Sequence, residues 1–180
     1  AGWQEREHHM FGYPLGDVQT RMDRFEEGLK VAHLLLRSDG PATFEGRFFQ
    51  LREAELLPRP QRPGGPRIMV GGNGTRRTLP LAARYADIWN GVFLTPEGFR
   101  ERSERLDALL REQGRAPGEV RRTMMTAVFF GRDEAELDRR LSWRHQQEQF
   151  AGKSLRETVA ALRESNNRIV GTPDEVVEQL

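Results

Sequence analysis

The chain has 180 residues, close to the size of one domain. Its 37% hydrophobic residues and 18 glycines together reach the apolar share that is typical of a globular protein, and this excludes wholesale disorder. Its 28 basic and 27 acidic residues are interleaved and give a net charge of +1, which argues against nucleic acid or an anionic membrane as a partner. The absence of cysteine excludes disulfides and thiolate chemistry.

Neither a membrane helix nor a signal peptide is visible in the sequence. No apolar run approaches the roughly 18 residues that a membrane helix needs, and the first residues lack the charged-then-apolar pattern of a signal peptide. The cytoplasm is therefore the predicted location. All but two of the basic residues are arginine, which we interpret as a bias of genome composition.

The first third of the chain predicts a helix, a hairpin and a loop. Apolar residues at intervals of three and four predict a helix from about Val18 to Arg37, which the segment Ser38–Pro41 ends. The aromatic-rich segment Thr43–Leu51 predicts a small hairpin or an extended excursion. Residues 57–66 contain four prolines and two glycines and predict a connecting loop.

From residue 67 onward, strands and helices alternate. The predicted strands are 67–70, 87–93, 123–130 and 168–170, and the predicted helices are 75–85, 95–114, 133–149, 154–165 and one from 172. This alternation is typical of a parallel sheet covered by helices, and it does not choose between an open sheet and a barrel.

Glycine or a small polar residue follows the strands at 71–74, 90–91 and 171–172. In parallel α/β proteins such junctions lie on one face, where active sites are built. Gly131, which also follows a strand, is predicted only to turn the chain.

Both ends of the chain suggest a fragment. The first residue is Ala1 rather than methionine, and the last helix begins with a good capping signal at Thr172–Glu175 and stops within two turns. A short frayed terminal helix is the alternative.

The segment Gly71–Thr78 (GGNGTRRT) is the sharpest local motif. It follows an apolar strand and precedes a helix, where free backbone N–H groups and the helix dipole can hold a phosphate. Asn73 and Thr75 offer side-chain hydrogen bonds, and Arg76 or Arg77 offers a charge-assisted one. The motif is neither G-x-G-x-x-G nor a Walker loop. Taken alone, it leaves phosphate binding and a plain turn equally open.

Five segments carry a wider resemblance. They are 1–7 (AGWQERE) with 11–12 (FG), 24–29 (RFEEGL), 44–49 (FEGRFF), 66–78 with 82–87 (AARYAD), and 171–176 (GTPDEV). In this order the segments resemble the luciferase-like flavin and deazaflavin oxidoreductases over nearly the whole chain.

The resemblance implies a (β/α)8 TIM barrel, here incomplete. It places Ala1 just after the fourth strand and residue 180 in the helix before the last strand. Residues 1–180 are then expected to form one partial domain, the C-terminal half of a barrel truncated at both ends, since a whole barrel needs about 250 residues.

The resemblance also implies a cofactor site. In the family, the phosphate end of the flavin lies between the loop after strand four and the glycine loop. The matching positions are Gly2, Trp3, Gly71, Gly72, Asn73, Gly74, Thr75 and Arg76. No catalytic residue is assigned, because the groups that shape the redox centre in relatives come largely from the part of the barrel before strand five.

The implied function is hydride transfer between the deazaflavin coenzyme F420 and a small organic substrate. The segments 2–8, 21–29 and 71–78 are most similar to deazaflavin-dependent members. An FMN-dependent monooxygenase that uses O2 and a non-catalytic flavin-binding scaffold are the alternatives. A homodimer is open, and an arginine-rich nucleic-acid binder is disfavoured by the interleaved charges.

No metal site is predicted, because the four histidines lack ligand spacing. His8 and His9 are expected in a solvated loop, with His8 able to approach the cofactor. His33 is expected to be packed or at a boundary, and His145 to be on the surface.

Five further residues have predicted roles. Asp87 is predicted to be structural, since it lies at the opposite end of its strand from the catalytic face. Trp89 is predicted to pack in the core and Asn90 to line the pocket. Neighbouring carboxylates on a helix do not share a site, so Glu26 and Glu27 are predicted to give a solvated face and one buttressing contact.

Overall fold

The computed structural model describes residues 2–179, apart from the side chains of His145, Gln149, Ser165 and Asn166. The predictions made for Ala1, for residue 180 and for the side chain of His145 therefore lie outside the described residues. Within that range the chain is a mixed α/β protein, and no helix is both long enough and apolar enough to cross a membrane.

Helices and strands alternate over most of the chain. The helices are α1 (Glu5–Met10), α2 (Val18–Arg37), α3 (Thr78–Tyr85), α4 (Pro96–Glu112), α5 (Glu134–His145), α6 (Leu155–Asn166) and α7 (Pro173–Gln179). The strands are β1 (Ala42–Glu45), β2 (Gln50–Ala54), β3 (Met69–Gly71), β4 (Ile88–Val92), β5 (Arg121–Met125), β6 (Val128–Phe130) and β7 (Ile169–Gly171).

The strands form three small sheets. β1 and β2 pair antiparallel as a hairpin, β3, β4 and β5 form a sheet in that order, and β6 pairs parallel with β7. Hydrogen bonds flanking β3 and β4 advance along both strands together, as in a parallel pair: Ile88 N–H donates to Ile68 O, and Gly72 N–H donates to Asn90 O. No closed barrel is formed within residues 2–179.

The chain divides into two compact units. The first contains the residues up to 70, 74–89 and 105–121, and the second contains 71–73, 90–104 and the residues from 122 onward. β3, β4 and β5 each contribute residues to both units.

In the first unit, α2 has the bounds that the apolar spacing predicted. The Asp17 carboxylate accepts a hydrogen bond from Thr20 N–H at 2.8 Å and so caps the helix start.

The core of the first unit contains fully buried large side chains, namely Val70, Leu79, Trp89, Leu106 and Leu110. The prediction that Trp89 packs in the core is confirmed.

Glu27 of α2 holds the turn of the β1–β2 hairpin. Its carboxylate accepts hydrogen bonds from the backbone N–H groups of Arg47 at 3.0 Å, Phe48 at 2.8 Å and Phe49 at 3.3 Å. Gly46 lies so close that a Cβ there would collide with this carboxylate. Glu27 therefore makes the predicted buttressing contact, and Glu26 instead pairs with Lys30 at 3.2 Å.

Asp87 ties together the starts of three strands in the first unit. Its Oδ2 accepts from Ile68 N–H at 2.7 Å and from Arg37 Nη2 at 2.8 Å, and its carbonyl accepts from Arg121 N–H at 2.9 Å. The structural role predicted for Asp87 is confirmed.

In the second unit, a small core lies under α5, α6 and β7. It consists of Leu137, Leu141, Phe150, Leu162 and Val170. α6 begins with a capping box, in which the Ser154 hydroxyl accepts from Glu157 N–H and the Glu157 carboxylate accepts from Ser154 N–H.

The sequence reading was wrong in four places. The strand predicted at 123–130 is two strands, because its first part pairs with β4 and its second part with β7. The helix predicted from about Thr75 begins at Thr78, and the helix predicted to run to about Gln149 ends at His145, before a 3-10 turn at 148–150. The polar segment that holds His8 and His9 is a helix, α1, rather than a loop.

Replacement of Glu27 tests how the hairpin is held. The three backbone hydrogen bonds, with Phe48 the largest contributor, lower the pKa of Glu27 in the folded chain. Because the pKa of Glu27 is lower in the folded chain than in the unfolded chain, its ionised carboxylate stabilises the fold at pH values above the unfolded pKa of about 4.3. This stabilisation disappears as the pH falls through the folded pKa. We expect Glu27→Gln to lower the Tm at pH 7, with a smaller difference from wild type at pH 3, measured by circular dichroism.

Glu45→Gln is the matched control, since Glu45 lies exposed on the same hairpin. An equal loss of Tm in the two variants, or a Glu27 effect that does not change with pH, would contradict this role for Glu27.

Candidate functional site

The glycine loop, residues 71–78, leaves the sheet within its first two residues. Gly71 is the last residue of β3, and Gly72 N–H donates to Asn90 O at 3.0 Å. The φ of Gly72 is 124°, a conformation that favours glycine. Gly72 therefore extends the pairing with β4 by one residue in a backbone conformation that a side chain would strain.

The Asn73 side chain continues this pairing in place of the backbone. Asn73 Nδ2 donates to Val92 O at 2.7 Å, and Asn73 Oδ1 accepts from Val92 N–H at 2.9 Å. A carboxamide offers the same donor and acceptor as a peptide group, so it pairs with Val92 as a neighbouring strand would. We call this pair of bonds the Asn73 clamp. A direct bond from this side chain to a phosphate, as the sequence predicts, competes with the clamp.

Arg102 of α4 holds the backbone of the same residue. Its Nε donates to Asn73 O at 3.3 Å and its Nη1 donates to Gly98 O at 3.0 Å, with 27% of the side chain exposed. Arg102 is therefore a positioning residue for the loop. Sequence reasoning missed it, because Arg102 is 29 residues from Asn73 and lies in a run of alternating charges.

Asn90 is engaged by the next strand. Thr123 Oγ1 donates to Asn90 Oδ1 at 2.8 Å, and the Asn90 carbonyl already accepts from Gly72. The residue that was predicted to line a pocket thus links β4 with its neighbours, and its role towards a ligand stays a prediction.

The remainder of the loop belongs to the first unit, and its residues 74–76 are exposed. Residues 74–76 form a turn before α3, closed by Leu79 N–H donating to Gly74 O at 2.9 Å. None of the backbone N–H groups of Gly74, Thr75 and Arg76 donates to another residue of the described chain. Three consecutive N–H donors of exposed residues thus have no partner among the described residues, just before a helix start.

The two arginines that follow have different partners. Arg77 Nη2 donates to Asp23 Oδ1 at 2.8 Å and to Glu26 Oε2 at 3.3 Å, and the hydrogen bond to Asp23 raises the pKa of Arg77. Arg76 is exposed and has no ion pair within residues 2–179. Of the two alternatives that the sequence left open, Arg76 is the one available to an anion.

The N-terminal segment places Gly2 against α1. The φ of Gly2 is 74°, its carbonyl accepts from Arg21 Nη1 at 3.2 Å, and a Cβ there would lie 2.6 Å from His8 Nε2. Trp3 is 81% exposed. His8 Nδ1 is buried and has no hydrogen-bond partner in the described part of the chain.

The predicted cofactor residues are divided between the two units. Gly2, Trp3, Gly74, Thr75 and Arg76 lie in the first, and Gly71, Gly72 and Asn73 lie in the second. No hydrogen bond joins the pair 2–3 to the turn 74–76 among the described residues. The combined site stays a prediction. Across the same residues, no group of three or more histidine, aspartate or glutamate side chains could hold a metal ion.

Comparison with known proteins identifies the family. The model of the luciferase-like monooxygenases matches residues 1–180, so the chain belongs to this family. It is 30% identical over 150 residues to a pyrimidine monooxygenase, RutA, from Agrobacterium fabrum, which covers 81% of this chain and 39% of the relative.

Two further proteins are similar. An F420-dependent glucose-6-phosphate dehydrogenase from Kineococcus radiotolerans is 28% identical over 129 residues, or 69% of this chain and 36% of the relative. The structure of an EDTA monooxygenase, EmoA, from Chelativorans sp. BNC1 superposes with a TM-score of 0.72 at 22% identity, over 100% of this chain and 56% of that one. This structural likeness supports a shared fold. The chain spans about two fifths of the length of the curated relatives that it matches.

The Asn73 clamp is open to a direct test. Asn73→Asp keeps the acceptor for Val92 N–H but places a carboxylate against Val92 O and removes its donor. We expect a loss of about 1–3 kcal/mol in the free energy of unfolding, measured with urea.

Gln61→Glu is the control, because it makes the same amide-to-carboxylate change at an exposed position in the connecting loop. If both variants lose the same free energy, the clamp does not support the loop.

Proposed function

We propose that β3, β4 and β5, with the helices between them, are part of the (β/α)8 barrel of this family. The strand order β3-β4-β5, hydrogen bonds that advance in the same direction along neighbouring strands, and the helix after each of β3 and β4 support this assignment. In such a barrel the glycine loop lies at the carboxyl ends of the strands, where the ligands of α/β proteins bind.

The proposed function is binding of the phosphate end of a flavin-type cofactor at the glycine loop, in an oxidoreductase. The observation that carries it is the row of three exposed N–H donors at Gly74, Thr75 and Arg76. Backbone donors ahead of a helix are a common means of binding phosphate.

The side chains of this turn fit an anion. The whole loop from 71 to 78 has no acidic residue, the Thr75 hydroxyl is exposed, and the Arg76 guanidinium is unpaired within the described residues. Arginine binds phosphate through charge-assisted hydrogen bonds. Thr75, Arg76 and the three N–H groups would therefore hold the phosphate, while the Asn73 clamp and Arg102 keep the preceding backbone in place.

We favour the deazaflavin F420 as the cofactor. The motif similarity of segments 2–8, 21–29 and 71–78 and the F420-dependent relative both support this choice. When bound, such a cofactor accepts or donates a hydride, and the protein contributes placement and exclusion of water. The substrate is expected to be a small organic molecule.

An FMN-dependent monooxygenase is the second candidate. The relative from Agrobacterium fabrum and the structural neighbour from Chelativorans are both monooxygenases by name, which favours oxygen chemistry. The two candidates share the phosphate site and differ in the ring of the cofactor.

A fluorescence titration of the protein with F420, with FMN as the competitor, distinguishes them. We expect saturable F420 binding that FMN does not displace. Arg76→Glu should weaken it by about 10- to 100-fold, because it removes one charge-assisted bond and adds repulsion. Arg52→Glu, an exposed charge reversal on the hairpin, should leave the affinity unchanged.

Preferential binding of FMN would replace the deazaflavin assignment with the monooxygenase. Binding of neither cofactor, or equal affinity in wild type and Arg76→Glu, would show that the turn only precedes a helix.

A further inference from the structure

A second concave site lies in the first unit, apart from the glycine loop. It is a cleft of about 490 Å³, within the size range of small-molecule sites. Among the described residues that line it are five arginines, namely Arg37, Arg62, Arg67, Arg84 and Arg115, and one carboxylate, Asp87. We call it the arginine cleft. Basic and acidic residues are balanced over the chain, so this is a local concentration of positive charge.

Two of the five arginines are neutralised by the protein itself. The Asp87 carboxylate pairs with Arg37 at 2.8 Å and also accepts from Ile68 N–H. Arg115 pairs with Glu119 at 3.2 Å and donates to the carbonyls of Ala83 and Ala86. These two guanidiniums support the fold. Their partners, the Asp87 and Glu119 carboxylates, are already paired and do not neutralise the other arginines of the cleft.

The other three arginines have no such partner. The side chains of Arg62, Arg67 and Arg84 form neither a hydrogen bond nor an ion pair with any described residue. All three are exposed around one concave surface, where like charges together attract an anion. A guanidinium presents a planar set of N–H donors that matches the oxygens of a phosphate.

The wall of the cleft is shaped by a glycine turn. Gly65 N–H donates to Arg62 O at 2.8 Å, and Gly64 and Gly65 have φ values of 73° and 71°. A Cβ on Gly65 would lie 2.9 Å from Leu36 O and 3.2 Å from Arg37 Nη1. The backbone at Gly65 therefore approaches the Leu36 carbonyl more closely than a side chain there would allow, and the turn places Arg62 next to this close contact.

His33 lies in the same cleft as a neutral group. Its ring packs edge-on against Tyr85 with 5.8 Å between the ring centroids. Burial lowers the pKa of His33 first, the positive charges of Arg37 and Arg115 lower it further, and Asp87 opposes them. A neutral imidazole adds a hydrogen-bonding group without adding to the repulsion.

We propose that the arginine cleft binds a polyphosphate group of two or three phosphates, held by Arg62, Arg67 and Arg84. The charge of such a group matches three uncompensated guanidiniums. It is either free polyphosphate or the phosphate chain of a nucleotide, and this site is independent of the proposed cofactor loop.

Isothermal titration of the protein with pyrophosphate tests the proposal. We expect saturable one-to-one binding that weakens as salt is raised. Arg62→Glu and Arg84→Glu should each weaken it by about tenfold or more. Arg139→Glu, an exposed charge reversal on α5, should leave it unchanged. ADP binding tighter than pyrophosphate would support a nucleotide source, and weaker binding would support free polyphosphate.

His33 provides a second readout by NMR. A bound polyphosphate opposes the field of Arg37 and Arg115, so saturation with pyrophosphate should raise the pKa of His33. Absence of saturable binding, an equal loss in Arg139→Glu, an equal affinity for citrate, or displacement of pyrophosphate by F420 would each overturn the proposal.

Discussion

The conformation of the glycine loop depends on the pair of hydrogen bonds between the Asn73 carboxamide and the backbone of Val92. β3 ends at Gly71, and from there the chain must turn away while its neighbour β4 still presents an unpaired peptide group. Unpaired backbone groups in a folded interior are costly, so a side chain that supplies both the donor and the acceptor solves the problem locally.

A carboxylate has the corresponding role at the start of the strands. Asp87 satisfies Ile68 and Arg121 through its side chain and carbonyl, and it takes up the charge of Arg37. One consequence reaches beyond stability. Since Asp87 is committed to Arg37, it cannot neutralise the other guanidiniums of the arginine cleft. The positive charge of the proposed polyphosphate site therefore remains because Asp87 is already paired with Arg37.

The elements that sequence analysis predicted well are those specified by nearby residues. α2 was predicted at both bounds, because its apolar stripe and the stop after Arg37 all lie within the helix or next to it. The hairpin and the start of α6 follow from local signals in the same way. Membership of the luciferase-like monooxygenase family could also be predicted from the sequence, because short motifs of the family occur in this chain in the family's order.

The features that escaped prediction depend on partners far along the chain. Asn73 and Val92 are 19 residues apart, and Arg102 is 29 residues from Asn73, so no local pattern indicates either contact. The break between β5 and β6 is similar, since it arises where the chain changes its pairing partner from β4 to β7. A phosphate-binding role for Asn73 is a reasonable inference from the motif alone, and only the position of Val92 reveals the competing bonds.

The proposed function depends on binding of a cofactor phosphate by the N–H groups that follow the Asn73 clamp. Amide chemical shifts of the isotopically labelled protein, followed during addition of F420, test it most directly. We expect large shifts at Gly74, Thr75 and Arg76 and little change at Arg62 and Arg84. Saturable F420 binding with unchanged shifts at residues 74–76 would contradict it.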